Sequence, residues 1–239
     1  MIATLANPQA PWEIPVLAVP AARHRGERWL TRLVDVPPPA VRQELVSRGF
    51  GFLTCEESHG REATLLEAGS YIEQCPSLAD TVSQHIGHLS LLRAEEAYDI
   101  SHSEPRWPDW AFVSVPQGSG AVSALRTADN IVHEAMHLQL TRLEQIEPLI
   151  ADEGALLWSP WKEELRDLRG NLHAVYVFRC IAIFLQRLLD AGSVTRDGAT
   201  WIAQRLTQME EELAAVSTQE LGAGLTTAGR GLLSMISAR

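Results

Sequence analysis

Residues 123–145 read SALRTADNIVHEAMHLQLTRLEQ, and Leu125, Ile131, Val132, Met136, Leu140 and Leu143 recur in them at helical spacing. This periodicity predicts one long helix with a buried side. In its middle stands His133-Glu134-Ala135-Met136-His137. Positions i and i+4 lie one turn apart on one helix face, so the two imidazoles can converge on a single divalent ion. Glu134 then lies beside that ion and need not ligate it. The apolar flanks, Ile131, Val132, Met136 and Leu138, bury the helix, so both histidines need partners there. A polar core network that holds no ion is the competing reading.

Upstream, Trp110-Ala-Phe-Val-Ser-Val115 favours an extended strand, bracketed by Pro105, Pro108 and Pro116 and followed by Gly118-Ser119-Gly120. Residues 62–74 and 77–95 show apolar positions at helical spacing with Pro76 between them, which predicts a helical hairpin. Val41 to Ser47 reads as a short helix after Pro37-Pro38-Pro39, ended by Gly49-Phe50-Gly51. Downstream, a Trp158-Ser-Pro-Trp161 loop precedes a long helix over 163–191 that stops at Gly192. Helices over 197–216 and 218–237 follow, the second weakened by four glycines. The expectation is a mainly α protein with a small β element beside the metal-binding helix. An extended arm over 1–22 would lead into a single helical domain over 23–239, with the site carried by 99–190.

A formal charge of -10, from 30 acidic and 20 basic residues, repels nucleic-acid phosphates and anionic lipid, and the basic residues are scattered. Neither nucleic acid nor membrane is expected as a partner. Cys55, Cys75 and Cys180 are too widely spaced for a disulfide framework or a paired-cysteine metal knuckle, which suits a reducing, cytoplasmic compartment. The first twenty residues lack a basic start and contain four prolines, a poor signal peptide. The apolar run from Leu172 to Leu189 carries Arg179, Gln186 and Arg187, and reads as a core helix.

Two imidazoles need at least one more protein ligand. Glu153, in the turn-like stretch Ala-Asp-Glu-Gly-Ala, and His173, on the long apolar helix, are the two candidates. Glu153 would complete a hydrolytic zinc site, in which Glu134 is the general base. His173 would give a set of three histidines. Arg169, one turn before His173, can grip a carboxylate in two parallel hydrogen bonds, and Arg126, two turns before His133, is the alternative. His24, His59, His85, His88 and His102 show no comparable metal spacing, although His85 and His88 stand three apart on an expected helix.

Several stretches resemble a known family. They are Asp99-Ile-Ser-His-Ser-Glu-Pro105, Ala124-Leu-Arg126 leading into His133–His137, Ser159-Pro-Trp-Lys162, Leu168-Arg-Gly170 and Leu172-His173. Together they are similar to the HExxH-type peptide-modifying proteins of ribosomal peptide natural product pathways, over about residues 99–190. The resemblance implies β-hydroxylation of a precursor-peptide side chain by an iron(II)- and 2-oxoglutarate-dependent enzyme that consumes O2. It carries over His133, His137 and His173 as ligands. Three nitrogen ligands leave positions for a chelating 2-oxoglutarate and for dioxygen, with Arg169 or Arg126 on the far carboxylate. A zinc(II) peptidase using Glu134, and a non-catalytic peptide-binding protein with a structural metal, are the alternatives. The precursor peptide is expected to lie along the edge of the Trp110–Val115 strand, beside a pocket lined by Trp158, Trp161 and Tyr176.

Overall fold

The computed structural model describes residues 7–13, 29–95, 98–118 and 120–237. Pro38 and Pro39 open α1 (Pro39–Ser47), and Gly49, at φ 94°, turns the chain into the short strand β1 (Gly51–Phe52). Thr54 caps α2 (Cys55–His59) reciprocally with Glu57, and α3 (Glu62–Glu73) and α4 (Pro76–His85) then form the helical pair. The expected helix over 77–95 ends at His85. Beyond Gly87 the chain forms β2 (His88–Arg93), four of whose six residues are buried. Ile86, Leu89 and Leu92 had continued the helical spacing of Leu78 and Val82, and a short apolar run does not distinguish a helix from a buried strand.

After β3 (Ser101–His102) comes β4 (Trp110–Ser114), as expected. The sheet order is β1-β2-β4-β3: β4 pairs in parallel with β2 and antiparallel with β3. The Trp110 strand is therefore paired on both sides, against the expected free edge, and the edge strands of this sheet are β1 and β3. α5 (Ala121–Ile146) lies against β4 and β3 and packs on α3, α4 and α6. All six residues assigned to its buried side are buried.

The segment expected as a loop is a hairpin, β5 (Leu156–Ser159) with β6 (Glu164–Asp167), closed by a turn in which Glu163 adopts φ 51°. A non-glycine residue there costs roughly 1–2 kcal/mol. α6 (Leu168–Asp190) accordingly starts five residues later than expected, where the Asp167 side chain accepts the Gly170 amide at 2.6 Å. By length and composition α6 could cross a membrane, but 61% of its apolar window is buried in the fold. α7 (Arg196–Ala214) follows, and the last expected helix is broken into α8 (Thr218–Ala223) and α9 (Thr227–Ser237) at Gly224, where Leu225 bridges to Ile150.

Of the expected N-terminal arm, residues 7–13 are described and form turns. Trp12 is fully buried: its indole donates to Ser77 Oγ, and its carbonyl accepts from Gln139. The rest of the arm lies outside the described residues. One large cluster joins the helices to β2 and β4, and Leu45, Phe52, Leu92 and Phe112 form a second one on the other side of the sheet. The three cysteines are free.

Candidate metal centre

α5 and α6 cross with their histidines facing one another. His137 Nε2 stands 3.1 Å from His133 Nε2, and His137 Nδ1 stands 3.2 Å from His173 Nδ1. His173 Nε2 in turn lies 3.1 Å from Glu144 Oε2, and Arg169 holds the same carboxylate oxygen at 2.8 Å. The proton positions follow from this chain of contacts. A carboxylate only accepts, so His173 Nε2 carries a hydrogen, and in the neutral ring its Nδ1 is then a lone pair. His137 must then donate from Nδ1 and accept at Nε2, where His133 Nε2 donates. Burial pushes His133 down to about 4 and, with the charges of its neighbours, pushes His137 well below its ordinary value, so both rings are neutral as this relay requires.

Glu134 is 3% exposed, and its Oε2 accepts the Ser103 hydroxyl at 2.5 Å. Burial raises it to about 7 against the hydrogen bonds from Ser101 and Ser103, and its Oε1 lies 3.9 Å from His133 Nε2. Glu144 is displaced the other way: burial would raise it, but the hydrogen bonds from His173 and Arg169 outweigh that and hold it ionised.

These groups line a cleft of about 270 Å³ walled by Ser101–Pro105 on one side, His133, Glu134, His137, Leu138 and Thr141 on α5, and Lys162, Arg169 and His173 opposite. The structure thus brings together His133, Glu134, His137, Arg169 and His173. It does not bring in Glu153, which is exposed in a turn and lines no part of the cleft, nor Arg126, whose Nε is tied to Asp99 Oδ2 at 2.9 Å. Tyr176 also lies elsewhere, with its hydroxyl donating to Gln139 Oε1 at 2.6 Å deep in the core. Trp158 is 49% exposed on the outer face of the hairpin. Trp161 does reach the site indirectly. It stacks on Phe178 at 5.1 Å and 9°, and Phe178 meets the His133 ring edge-on at 5.5 Å. His85 and His88 do not form a second pair: His85 contacts Arg142 and His88 contacts Asp35.

The donor set can be tested against a divalent ion. Two imidazole nitrogens bound tetrahedrally at about 2.0–2.1 Å stand roughly 3.3 Å apart. The Nε2 atoms of His133 and His137, 3.1 Å apart on neutral rings, fit that requirement once His133 moves its proton to Nδ1. His173 faces the opposite nitrogen of His137. The three rings therefore form a chain, and no group of three or more His, Cys, Asp or Glu among the described residues surrounds one point. No family model and no curated protein matches the chain.

Glu144 was not singled out from sequence, and Ser103 and Lys162 stood only within the stretches that carry the resemblance, with no role given to either. Glu144 stands seven residues after His137, two turns on along the same helix face, and that spacing was open to reading.

Proposed function

We propose that the protein is a metal-dependent enzyme that binds iron(II) through His133, His137 and His173 and, with 2-oxoglutarate and O2, hydroxylates a side chain of a ribosomally made peptide. The observation that carries the metal assignment is the contact of three histidine rings, two of them held neutral by burial, at a cleft opening to solvent: His133 remains 23% exposed. Neutral imidazoles are metal donors, and an all-nitrogen set leaves coordination positions open for exchangeable partners. The resemblance over residues 99–190 supports iron and 2-oxoglutarate over other metal chemistry. When bound, the metal would supply the oxidising chemistry.

The chain's own residues have separable tasks in this reading. Glu144 orients His173 through its Nε2 and leaves Nδ1, which faces His137 Nδ1 at 3.2 Å, as the atom that would have to turn toward the ion to join His133 and His137. Arg169 fixes the Glu144 carboxylate and is therefore already paired. Ser101 and Ser103 hold Glu134 against the wall formed by β3, where it can keep or release a proton near neutral pH. Phe178 and Trp161 shield one face of His133 from water.

A specific feature favours a second reading, zinc-dependent peptide hydrolysis. Glu134, raised to about 7 beside the histidine pair, has the acidity of an efficient general base at neutral pH. One experiment separates the two. The iron-loaded protein is incubated with 2-oxoglutarate, oxygen and the peptide encoded beside it, and the products are read by mass spectrometry. Succinate formation with one oxygen added to the peptide is the expected result. Peptide cleavage with zinc alone, abolished in Glu134→Gln, would establish the peptidase instead.

A further inference from the structure

The chain has 20 lysines and arginines, and Lys162 is the only lysine. It lies on the wall of the cleft that holds His133, Glu134 and His137. The cleft has two cationic wall residues, and they differ in their partners. Arg169 is tied to Glu144, whereas among the described residues no carboxylate pairs with Lys162. Arg205, whose guanidinium lies over Phe178, is likewise engaged, with Asp129 at 3.1 Å.

The backbone around Lys162 is fixed. Its amide and that of Glu163 both donate to the Ser159 carbonyl, at 3.3 and 2.8 Å, and Glu163 holds a left-handed φ of 51° to close the turn. Trp161, next in the chain, is clamped on Phe178, which rests on His133. The only ammonium side chain in the protein, itself exposed, thus stands on a hydrogen-bonded turn beside Trp161, which stacks on Phe178 against His133. Non-glycine residues in sparsely populated backbone regions persist where the surrounding structure dictates them, and such positions cluster at binding sites.

We propose that Lys162 is the carboxylate-binding residue of this cleft, its ammonium taking an acid group of the molecule that lies against the His133–His137 pair. This assignment rests on the reading above that the cleft is the reaction site, and it replaces the expectation that Arg169 takes that carboxylate. An incoming acid meets Lys162 without breaking an existing pair, whereas at Arg169 it would displace Glu144 and release His173. Drug-sized ligands occupy roughly 300–1,000 Å³. The cleft, at about 270 Å³, suits one small diacid or a single acidic residue of a longer peptide.

A single lysine makes the test selective. Reductive dimethylation of amines, followed by mass spectrometry, reads Lys162 directly, with the α-amino group as internal reference. Labelling is measured without oxygen, with and without iron(II), in the presence of 2-oxoglutarate, a synthetic peptide containing Asp and Glu, or the same peptide with Asn and Gln. Protection of Lys162 by 2-oxoglutarate supports the proposal with a free diacid as the source. Protection by the acidic peptide and not its amide counterpart supports it with the peptide as the source. Labelling at an unchanged rate in every arm overturns it. Because no turnover is needed, protection stands even if the oxygenase reading fails, and turnover with unprotected Lys162 removes this proposal alone. In the turnover assay, Lys162→Met should raise the KM of the acid about tenfold with kcat little changed, and Lys162→Arg should recover part of that loss. Equal KM values in the wild type and both variants would also overturn it.

Discussion

The Glu144 carboxylate is the acid hydrogen-bonded to His173, and replacing it separates orientation of a ligand from ligation itself. In Glu144→Ala the His173 Nε2–H loses its acceptor inside a wall where its side chain is only 8% exposed, and Arg169 loses its partner. An unsatisfied buried donor costs about 1–3 kcal/mol. That cost falls on the metal-free fold first, as a lower midpoint in denaturant with an unchanged slope. Metal affinity should fall as well, because removing the outer carboxylate of a histidine ligand typically costs 10–100-fold. A tenfold loss corresponds to about 1.4 kcal/mol, the lower end of that range. Glu144→Gln keeps an acceptor oxygen without the charge, so it should lie between wild type and alanine in both measurements. Isothermal titration with zinc(II), a redox-inert probe, gives the affinity, and circular dichroism confirms that helix content is kept. Zinc affinity within twofold of wild type in Glu144→Ala, with the helices intact, would refute the assignment of His173 as a ligand held by Glu144.

Acid should destabilise the fold well above carboxylate pH. His85, His133 and His137 have folded values below the ordinary 6.5, with His85 at about 3 from burial beside Arg142, so below pH 6.5 the unfolded chain binds protons that the folded chain refuses. The contribution of these three rings is full above 6.5 and falls by up to about 1.4 kcal/mol per pH unit for each ring as pH drops. Buried Glu134, raised from 4.5 to about 7, contributes in the opposite sense between those values, so the net slope is shallower there. Urea midpoints of His85→Asn plotted against pH should lose one ring's share of the slope. Phe112, fully buried where β4 meets the second apolar cluster, should cost about 3–5 kcal/mol when replaced by alanine, read as a lower urea midpoint. Saturating zinc at about 100 times its dissociation constant should stabilise the fold by about 2.7 kcal/mol, a rise of roughly 5–11 °C in Tm for a chain of this size, with no gain in ellipticity. A metal-induced increase in helix content would show that the site is not assembled beforehand.

The main helical elements were legible because their apolar spacing is long and regular. α5 was expected over 123–145 and spans Ala121–Ile146, and the strand at Trp110 was set off by its prolines. The failures share a physical cause. β2 is a central strand buried on both faces, so it has no polar alternation to distinguish it from the helix before it. The β5–β6 hairpin is closed by Glu163 in a conformation normally left to glycine or asparagine, so the left-handed position of its turn is not marked by its residue type. Trp12 enters the core from a segment with no periodicity at all, and the partners that hold it there, Ser77 and Gln139, are distant in sequence.

The candidate site divides along the same line. His133, Glu134 and His137 are encoded within one helical turn, where spacing alone fixes their common face. His173 joins them only because α5 and α6 cross at that height, a fact of tertiary packing, and its identification rested on burial and on the resemblance. Arg169 lines the cleft, and the partner it holds in the structure is Glu144 of the same chain. Glu144 lies two turns beyond His137; Thr141 continues the cleft wall on α5, and Glu144 beyond it meets His173 and Arg169 of the neighbouring helix. In a long ligand-bearing helix the residue seven places beyond the second histidine is therefore the one to inspect for the group that orients a ligand from the neighbouring helix. Lys162 follows the opposite logic. It was noted only as part of the Ser159–Lys162 stretch, and its meaning comes from composition: a chain that otherwise uses arginine for its basic residues places its single lysine on the wall of the cleft that holds the histidine pair. Arginine in that position would present a broad planar fork suited to a permanent pair, as Arg169 and Arg205 have, whereas an ammonium on a flexible stem exchanges partners more readily.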